Sequence, residues 1–362
     1  MQKVASAARA FFIVLSLSAC GPSQSSAPAS DLAAALASAP SDASEVWYTH
    51  WALLKKYEGV ESLTSQSSMD RRREFMLTLS KDQAGASGYA VTRFFRHAEA
   101  WGWDSTDLVW EITLTRESQP PAYVLRFRDD FDFAAILTHF DERGFTQSQY
   151  NGATIYSHEM DLKADWLRQT EFAILNTAVL AGDKVLALST SIDSVKAILD
   201  ARRDRGRSLA GDEAFSAAAD RLGEVAAAAL SRSAEVCADL AQSVFAPLPD
   251  SLKTLLDQLS PLQAYRALGI GYRYESEKPL GLLVLHYASA ADAQADLEAR
   301  KRLLEEGYSL RLRRTYSEAL FKLDKASVEG SDIVLRVNPA NDMPRRLIEM
   351  VFTRDLIFAA CP

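Results

Sequence analysis

VWEITLTRESQPPAYVLRF, residues 109–127, and LGIGYRYESEKPLGLLVLHY, residues 268–287, follow one pattern. Each is a pair of apolar-alternating runs around a polar turn, Glu117 to Pro121 in the first and Glu275 to Pro279 in the second. That period of two, broken by turn residues, predicts a β-hairpin in both places. Working outward, each hairpin is followed by an amphipathic helix. The first runs from Asp130 to Arg143 with Phe133, Ile136, Leu137 and Phe140 on one face. The second runs from Ala290 to Glu306 with Ala293, Leu297, Leu303 and Leu304. Each helix ends at a glycine followed by an aromatic residue, Gly144-Phe145 and Gly307-Tyr308, as a left-handed C-cap requires. Strands resume at Ala153 to His158 and at Ala319 to Asp324.

The first copy continues through strands at Phe172 to Asn176 and Val185 to Ser189, with a Gly182-Asp183 turn between them, and a helix from Ile192 to Ala201. The second continues through a strand at Asp332 to Val337, a helix starting at Pro344, and a last strand at Asp355 to Ala360. The expected fold is therefore α+β: two related halves, each an antiparallel sheet with helices packed on one side. Residues 45–210 form the first half and 263–362 the second, with the Ala-rich segment 211–262 as a helical joint. The stretch from Val46 to Trp101 reads as helical and carries Trp47, Trp51 and Trp101, with Trp103 beyond, which are expected to pack onto the sheet.

Ahead of the globular part, Lys3 and Arg9 precede an apolar run, Phe11 to Leu15, that is too short to span a bilayer. Leu17, Ser18, Ala19 and Cys20 close this leader and resemble the lipobox of bacterial lipoproteins. The resemblance implies a signal peptide over residues 1–19, cleavage before Cys20, and lipidation of Cys20 and its new amino terminus. Several acyl chains, at about 0.8 kcal/mol per buried methylene, would make the anchor practically permanent. Gly21, rather than an aspartate, resembles the pattern of lipoproteins sorted to an outer membrane facing the periplasm. Residues 20–44, rich in Ser, Ala and Pro, read as a flexible tether.

The chain has 362 residues, 48% hydrophobic and 24% charged, enough for a substantial core. Losing Lys3 and Arg9 with the leader takes 40 basic residues to 38 against 48 acidic ones, a formal charge of −10. This balance argues against a nucleic-acid partner. The basic runs Arg71 to Arg73 and Arg202 to Arg207 read as solvated faces or loops. With Cys20 committed to lipid, Cys237 and Cys361 are left in an oxidising compartment and are expected to form a disulfide; the alternative is two separate buried thiols.

The sequence contains no phosphate loop, zinc helix, nucleophile elbow or calcium loop, and so implies no cofactor and no metal. His50, His97, His139, His158 and His286 lack metal-ligand spacing. Asp104 and Asp107 flank Thr106 as a turn or helix cap would, and Asp129-Asp130 suits a helix start.

Gly102-Trp103-Asp104, the Phe127 to Phe133 passage, Gly144-Phe145, Tyr150-Asn151-Gly152 and the Ser191 to Leu199 helix resemble a broad group of poorly characterised bacterial exported proteins over roughly Trp47 to Ala210. That resemblance implies a fold relationship and transfers no catalytic residue. The expected function is a membrane-anchored, non-enzymatic lipoprotein of the cell envelope that binds an envelope protein, peptide or apolar ligand. The alternative is an envelope hydrolase in which His97, His139 or His158 approaches a serine or carboxylate from a distance.

Overall fold

The computed structural model describes residues 30–82, 94–164, 167, 172–241, 250–259 and 261–361. The leader, Cys20 and the first part of the tether lie outside the described residues. Strands β1 (Ala43–Thr49), β2 (Leu108–Arg116), β3 (Ala122–Phe127), β4 (Thr146–Tyr150), β5 (Ala153–Ser157), β6 (Asn176–Leu180) and β7 (Val185–Ser189) belong to the first repeat. In the second lie β8 (Ala227–Arg232), β9 (Tyr265–Glu275), β10 (Lys278–Tyr287), the short β11 (Tyr308–Ser309) and β12 (Arg314–Thr315), then β13 (Phe321–Glu329) and β14 (Asp332–Pro339). The helices are α1 (Asp31–Leu36), α2 (Trp51–Tyr57), α3 (Met69–Asp82), α4 (Phe94–Trp101), α5 (Ala134–Glu142), α6 (Ile192–Arg203), α7 (Glu213–Leu222), α8 (Ser233–Ala241), α9 (Asp250–Leu259), α10 (Ala290–Glu305), α11 (Tyr316–Ala319) and α12 (Arg345–Phe352).

Both predicted hairpins form, β2–β3 and β9–β10. In the second, Ser276 and Glu277 adopt positive φ of 50° and 69°, the geometry of a two-residue turn whose twist suits flanking strands. The α+β class holds, and the antiparallel sheets of the two repeats are one. Twelve strands run in the order β13-β14-β10-β9-β8-β1-β2-β3-β7-β6-β5-β4, with β11 and β12 as a separate pair. The repeats share a path: a first strand, a helical excursion, a hairpin, a helix, and a return that lays the last strand on the third. Thus β7 pairs with β3, and β14 with β10. They meet where β1 pairs antiparallel with β8, Val46 opposite Leu230 and Tyr48 opposite Ala228.

Alternation along these strands buries both faces. Val46, Tyr48, Ile112, Val124, Ala187, Leu230 and Val284 point to a core covered by α1, α6 and α7. Trp47, Leu125, Phe127, Leu186, Ile270, Leu283 and Leu335 point to the opposite core, which the remaining helices cover. Helices on both faces correct the one-sided arrangement expected. Under α7 the sheet carries Gly269 and Gly271; a Cβ at Gly269 would sit 3.2 Å from a Leu222 methyl, so the missing side chains let the helix close on the strands.

Other expectations are corrected too. The tether does not extend to residue 44: α1 starts at Asp31, capped by the Ser30 hydroxyl, with Leu32, Ala35 and Leu36 buried. Nor is 211–262 a helical joint, because α7, β8, α8 and α9 open the second repeat and β8 is a central strand. The Val46–Trp101 segment likewise begins in β1. Phe172–Leu175 and the expected last strand at 355–360 are tight turns, the latter over Ile357–Ala359. Gly144 takes the positive φ of a C-cap at 72°. Gly307 does not; there a Cβ would collide with the Leu303 carbonyl oxygen.

The chain end is fastened from several directions. Cys237 in α8 and Cys361 form a disulfide with Cα atoms 5.6 Å apart, closing a separation of 124 residues. The Tyr265 hydroxyl donates to the Ala359 carbonyl at 2.9 Å. The fully buried Arg300 donates to the Phe358 carbonyl at 3.1 Å, the Ala360 carbonyl at 2.6 Å and the Gln263 carbonyl at 3.1 Å. Its charge is balanced by Asp296 at 2.7 Å, which also accepts from the Tyr287 hydroxyl at 2.7 Å.

Candidate functional site

Two turns and a helix of the first repeat enclose a depression on the molecule's described surface. Asn151 and Gly152, at φ of 50° and 83°, reverse the chain between β4 and β5. Ala181–Asp183, followed by Lys184 at φ 55°, does so between β6 and β7. Helix α6, whose first turn is capped by the Ser191 hydroxyl on the Ser194 N–H, crosses beside them. The result is a groove of about 500 Å³ with Ala153, Val179 and Leu199 in its walls and Asp183, Arg202 and Arg203 at its rim. A second depression of about 290 Å³, toward Asp31, Trp110 and Arg126, shares Asp183 and Arg202 with it.

The rim charges hold one another. Arg202 donates to Asp183 at 2.6 Å and to the Ser38 hydroxyl at 2.6 Å, so the groove wall is tied to the segment after α1. Asn151 donates to Asp200 at 2.6 Å and accepts from Arg203 at 3.2 Å. Asp200 also receives the Tyr150 hydroxyl at 3.0 Å and Arg207 at 2.9 Å. At the far end Asp31 meets His50 at 3.0 Å, and this hydrogen bond holds its carboxyl below the usual range. An apolar floor with a braced polar rim can orient a ligand. Of the basic run, Arg202 and Arg203 line the groove, while Arg205 and Arg207 are exposed as a solvated loop would have them.

The sequence-predicted candidates lie elsewhere. Trp51, Trp101 and Trp103 are fully buried core side chains, and Trp47 nearly so. His97 is buried with them, 4.3 Å from the Trp103 ring centroid in an edge-on contact, and burial pushes it down to about 3. His139 lies 3.4 Å from Glu142, and His158 Nδ1 donates to the Glu159 carbonyl, 2.5 Å away. His50 caps α2 by accepting the Leu53 N–H, and His286 meets Asp332 at 2.7 Å, with Arg221 bracing the same carboxylate at 2.9 Å. Of the three, His139 meets a carboxylate, that of Glu142 three residues on in the same helix.

Asp104 and Asp107 form the cap the sequence suggests, within a larger buried knot. Asp104 accepts the Thr106 N–H at 2.8 Å and pairs with Arg72 at 2.5 Å; Asp107 receives the Asp104 N–H at 3.3 Å. Lys55 donates to the Thr106 carbonyl at 2.6 Å and the Leu63 carbonyl at 3.1 Å, and its removal from water lowers its pKa. Desolvation raises that of Asp104. Arg72, at 7% exposure, is therefore no solvated surface residue. Asp129 and Asp130 precede α5 on its approach, pairing with Arg126 and Arg128.

No protein-family model matches the chain. No curated protein matches it either. Among solved structures it is similar to crystal form I of TP0453, at 12% identity over 92% of this chain and 99% of that one, with a TM-score of 0.40. Crystal form IV of the same protein gives 10% identity over 87% and 95%, with a TM-score of 0.41. Likeness at that level assigns neither a site nor a function.

Proposed function

We propose that this chain is a lipid-anchored protein of the cell envelope, facing the periplasm from the outer membrane in a diderm host, that binds a ligand without transforming it. The Cys237–Cys361 disulfide is the observation that carries the reading, because such bonds persist outside the reducing cytoplasm. It leaves Cys20 as the one remaining cysteine, inside the lipobox-like Leu17-Ser18-Ala19-Cys20. No helix among the described residues is long and apolar enough to cross a membrane. Attachment in this reading runs through acyl chains on Cys20.

Binding is favoured over hydrolysis because the histidines are engaged in caps, ion pairs and aromatic packing. The groove beside α6 offers an apolar or peptide ligand its Val179 and Leu199 side chains, with Arg203 at the rim. Fractionation of cells expressing Cys20→Ala tests the anchor: release into the soluble fraction is expected, and retention in membranes refutes it. For the groove, Leu199→Trp should fill the cavity and remove any small molecule or peptide seen by native mass spectrometry of the wild-type chain. An unchanged bound mass would place the ligand elsewhere.

A further inference from the structure

The two edges of the twelve-stranded sheet are defended unequally. One edge is β13, FKLDKASVE, which carries Lys322, Asp324, Lys325 and Glu329 and has a register break between Leu323 and Lys325. Charges and bulges on an edge strand discourage pairing with another chain. The opposite edge is β4, TQSQY, with no charge, no proline and no register break against β5. Its first four residues are exposed, and among the described residues β5 is its one strand neighbour.

The outward-facing backbone groups follow from the turn. In a two-residue hairpin the flanking pair, here Tyr150 and Ala153, exchanges hydrogen bonds, and bonded and non-bonded pairs then alternate along the strands. Tyr150, Ser148 and Thr146 therefore spend their N–H and C=O groups on β5. Those of Gln147 and Gln149 point away from the sheet.

We propose that β4 is the docking edge for a second copy of this chain, whose β4 adds antiparallel across a two-fold axis through Ser148. In that register Gln147 faces Gln149 of the second copy, and the outward groups of both supply about four hydrogen bonds. Ser148 meets its own equivalent at a non-bonded position with Cα atoms about 4.5 Å apart, and Thr146 meets Tyr150. The strand is self-complementary: β4 itself carries no charge to set against its copy, and every β4 residue finds an opposite number. Two side-chain bonds tie the strand to its own molecule, Gln149 to Thr154 at 2.8 Å and Gln147 to Asp141 at 3.3 Å. Five residues a side make a small interface against the usual 1,200–2,000 Å² or so of stable complexes, so the dimer is weak and concentration-dependent.

Cysteine crosslinking of the full-length chain in its native membranes, under a copper–phenanthroline oxidant, tests this directly. Ser148→Cys should yield a chain of doubled mass on a non-reducing gel, at least tenfold more than Ser327→Cys on the guarded β13 edge. Ser148→Lys sets two ammonium groups against each other on an exposed position and should abolish the dimer seen by analytical ultracentrifugation of the detergent-solubilised chain. A Ser148→Cys protein that stays monomeric while its thiol still reacts with a maleimide overturns the proposal. So does exclusive crosslinking to a different protein, which would make β4 a receptor for a foreign strand.

Discussion

The two repeats bury charge at the same place, the start of the second strand, by unrelated means. Before β2 the first repeat holds Lys55, Arg72, Asp104 and Asp107, drawn from two helices and a loop. Before β9 the second holds Asp296 and Arg300, one helical turn apart on α10, and spends the guanidinium on the chain's closing turn. The first knot fastens helices to the sheet; the second fastens the carboxyl-terminal segment, with a disulfide beside it. Topology repeats, and the fastenings do not. That is why the repeat shows in turn and strand patterns while its residues have little in common. The faces differ as well: α6 lies over the β7 side of the first repeat, whereas α12, at the corresponding point of the second, packs on the opposite core. The second repeat therefore sets no α12 wall where α6 bounds the groove.

The comparison can be broken by removing one fastening at a time. Arg300→Ala should have the largest effect, about 3–5 kcal/mol in denaturant titration, since it leaves Asp296 buried and uncompensated. A smaller loss shows that water reaches the site. Reducing Cys237–Cys361 should cost about 2–4 kcal/mol, and Cys361→Ala should reproduce it; no shift in the midpoint would assign the fastening to Arg300 alone.

An acid titration sharpens the contrast from the first repeat's side. The folded state holds His97 neutral down to about pH 3 while the unfolded chain binds a proton near 6.5. Its contribution is thus complete above 6.5 and lost as the pH falls toward 3, about 2 kcal/mol of it by pH 5. His97→Phe should flatten this dependence, and an unchanged slope would assign acid sensitivity to another group. The smallest effect is expected from Asp104→Asn, which keeps an acceptor for Thr106 and loses the charge facing Arg72, about 1–3 kcal/mol.

Much of the fold was legible because hairpins and amphipathic helices print their period on the chain. The failures have local causes. Ala227-Ala228-Ala229 in β8 reads as helix by propensity, yet sits fully buried between β1 and β9, where both faces of a central strand are occupied and small side chains fit. Strand β4 was missed because an edge exposed on both faces has no apolar alternation to show. DLAAAL looked like tether because its flanks are Ser and Ala, but Leu32 and Leu36 reach the core. As for the groove, its rim brings Asp183 to Arg202, which also bonds Ser38 outside it, residues whose proximity only the folded sheet creates. Compartment and count suffice to pair Cys237 with Cys361, and the disulfide forms; Gly182-Asp183 reads as a turn, but nothing in its sequence shows the arginine that Asp183 meets.

The seam between the repeats has a consequence for how the molecule comes into being. Glu45 of β1 waits for Ser231 of β8, a partner 186 residues later in the chain. As the chain emerges amino terminus first, β2 and β3 can complete their side of the sheet while β1, with Val46, Trp47 and Tyr48, still lacks its other neighbour. Non-local pairing of this kind slows folding and leaves apolar edges open in the interval. The most vulnerable moment of this chain therefore falls halfway through its making, at a strand that ends up at the centre of the finished sheet.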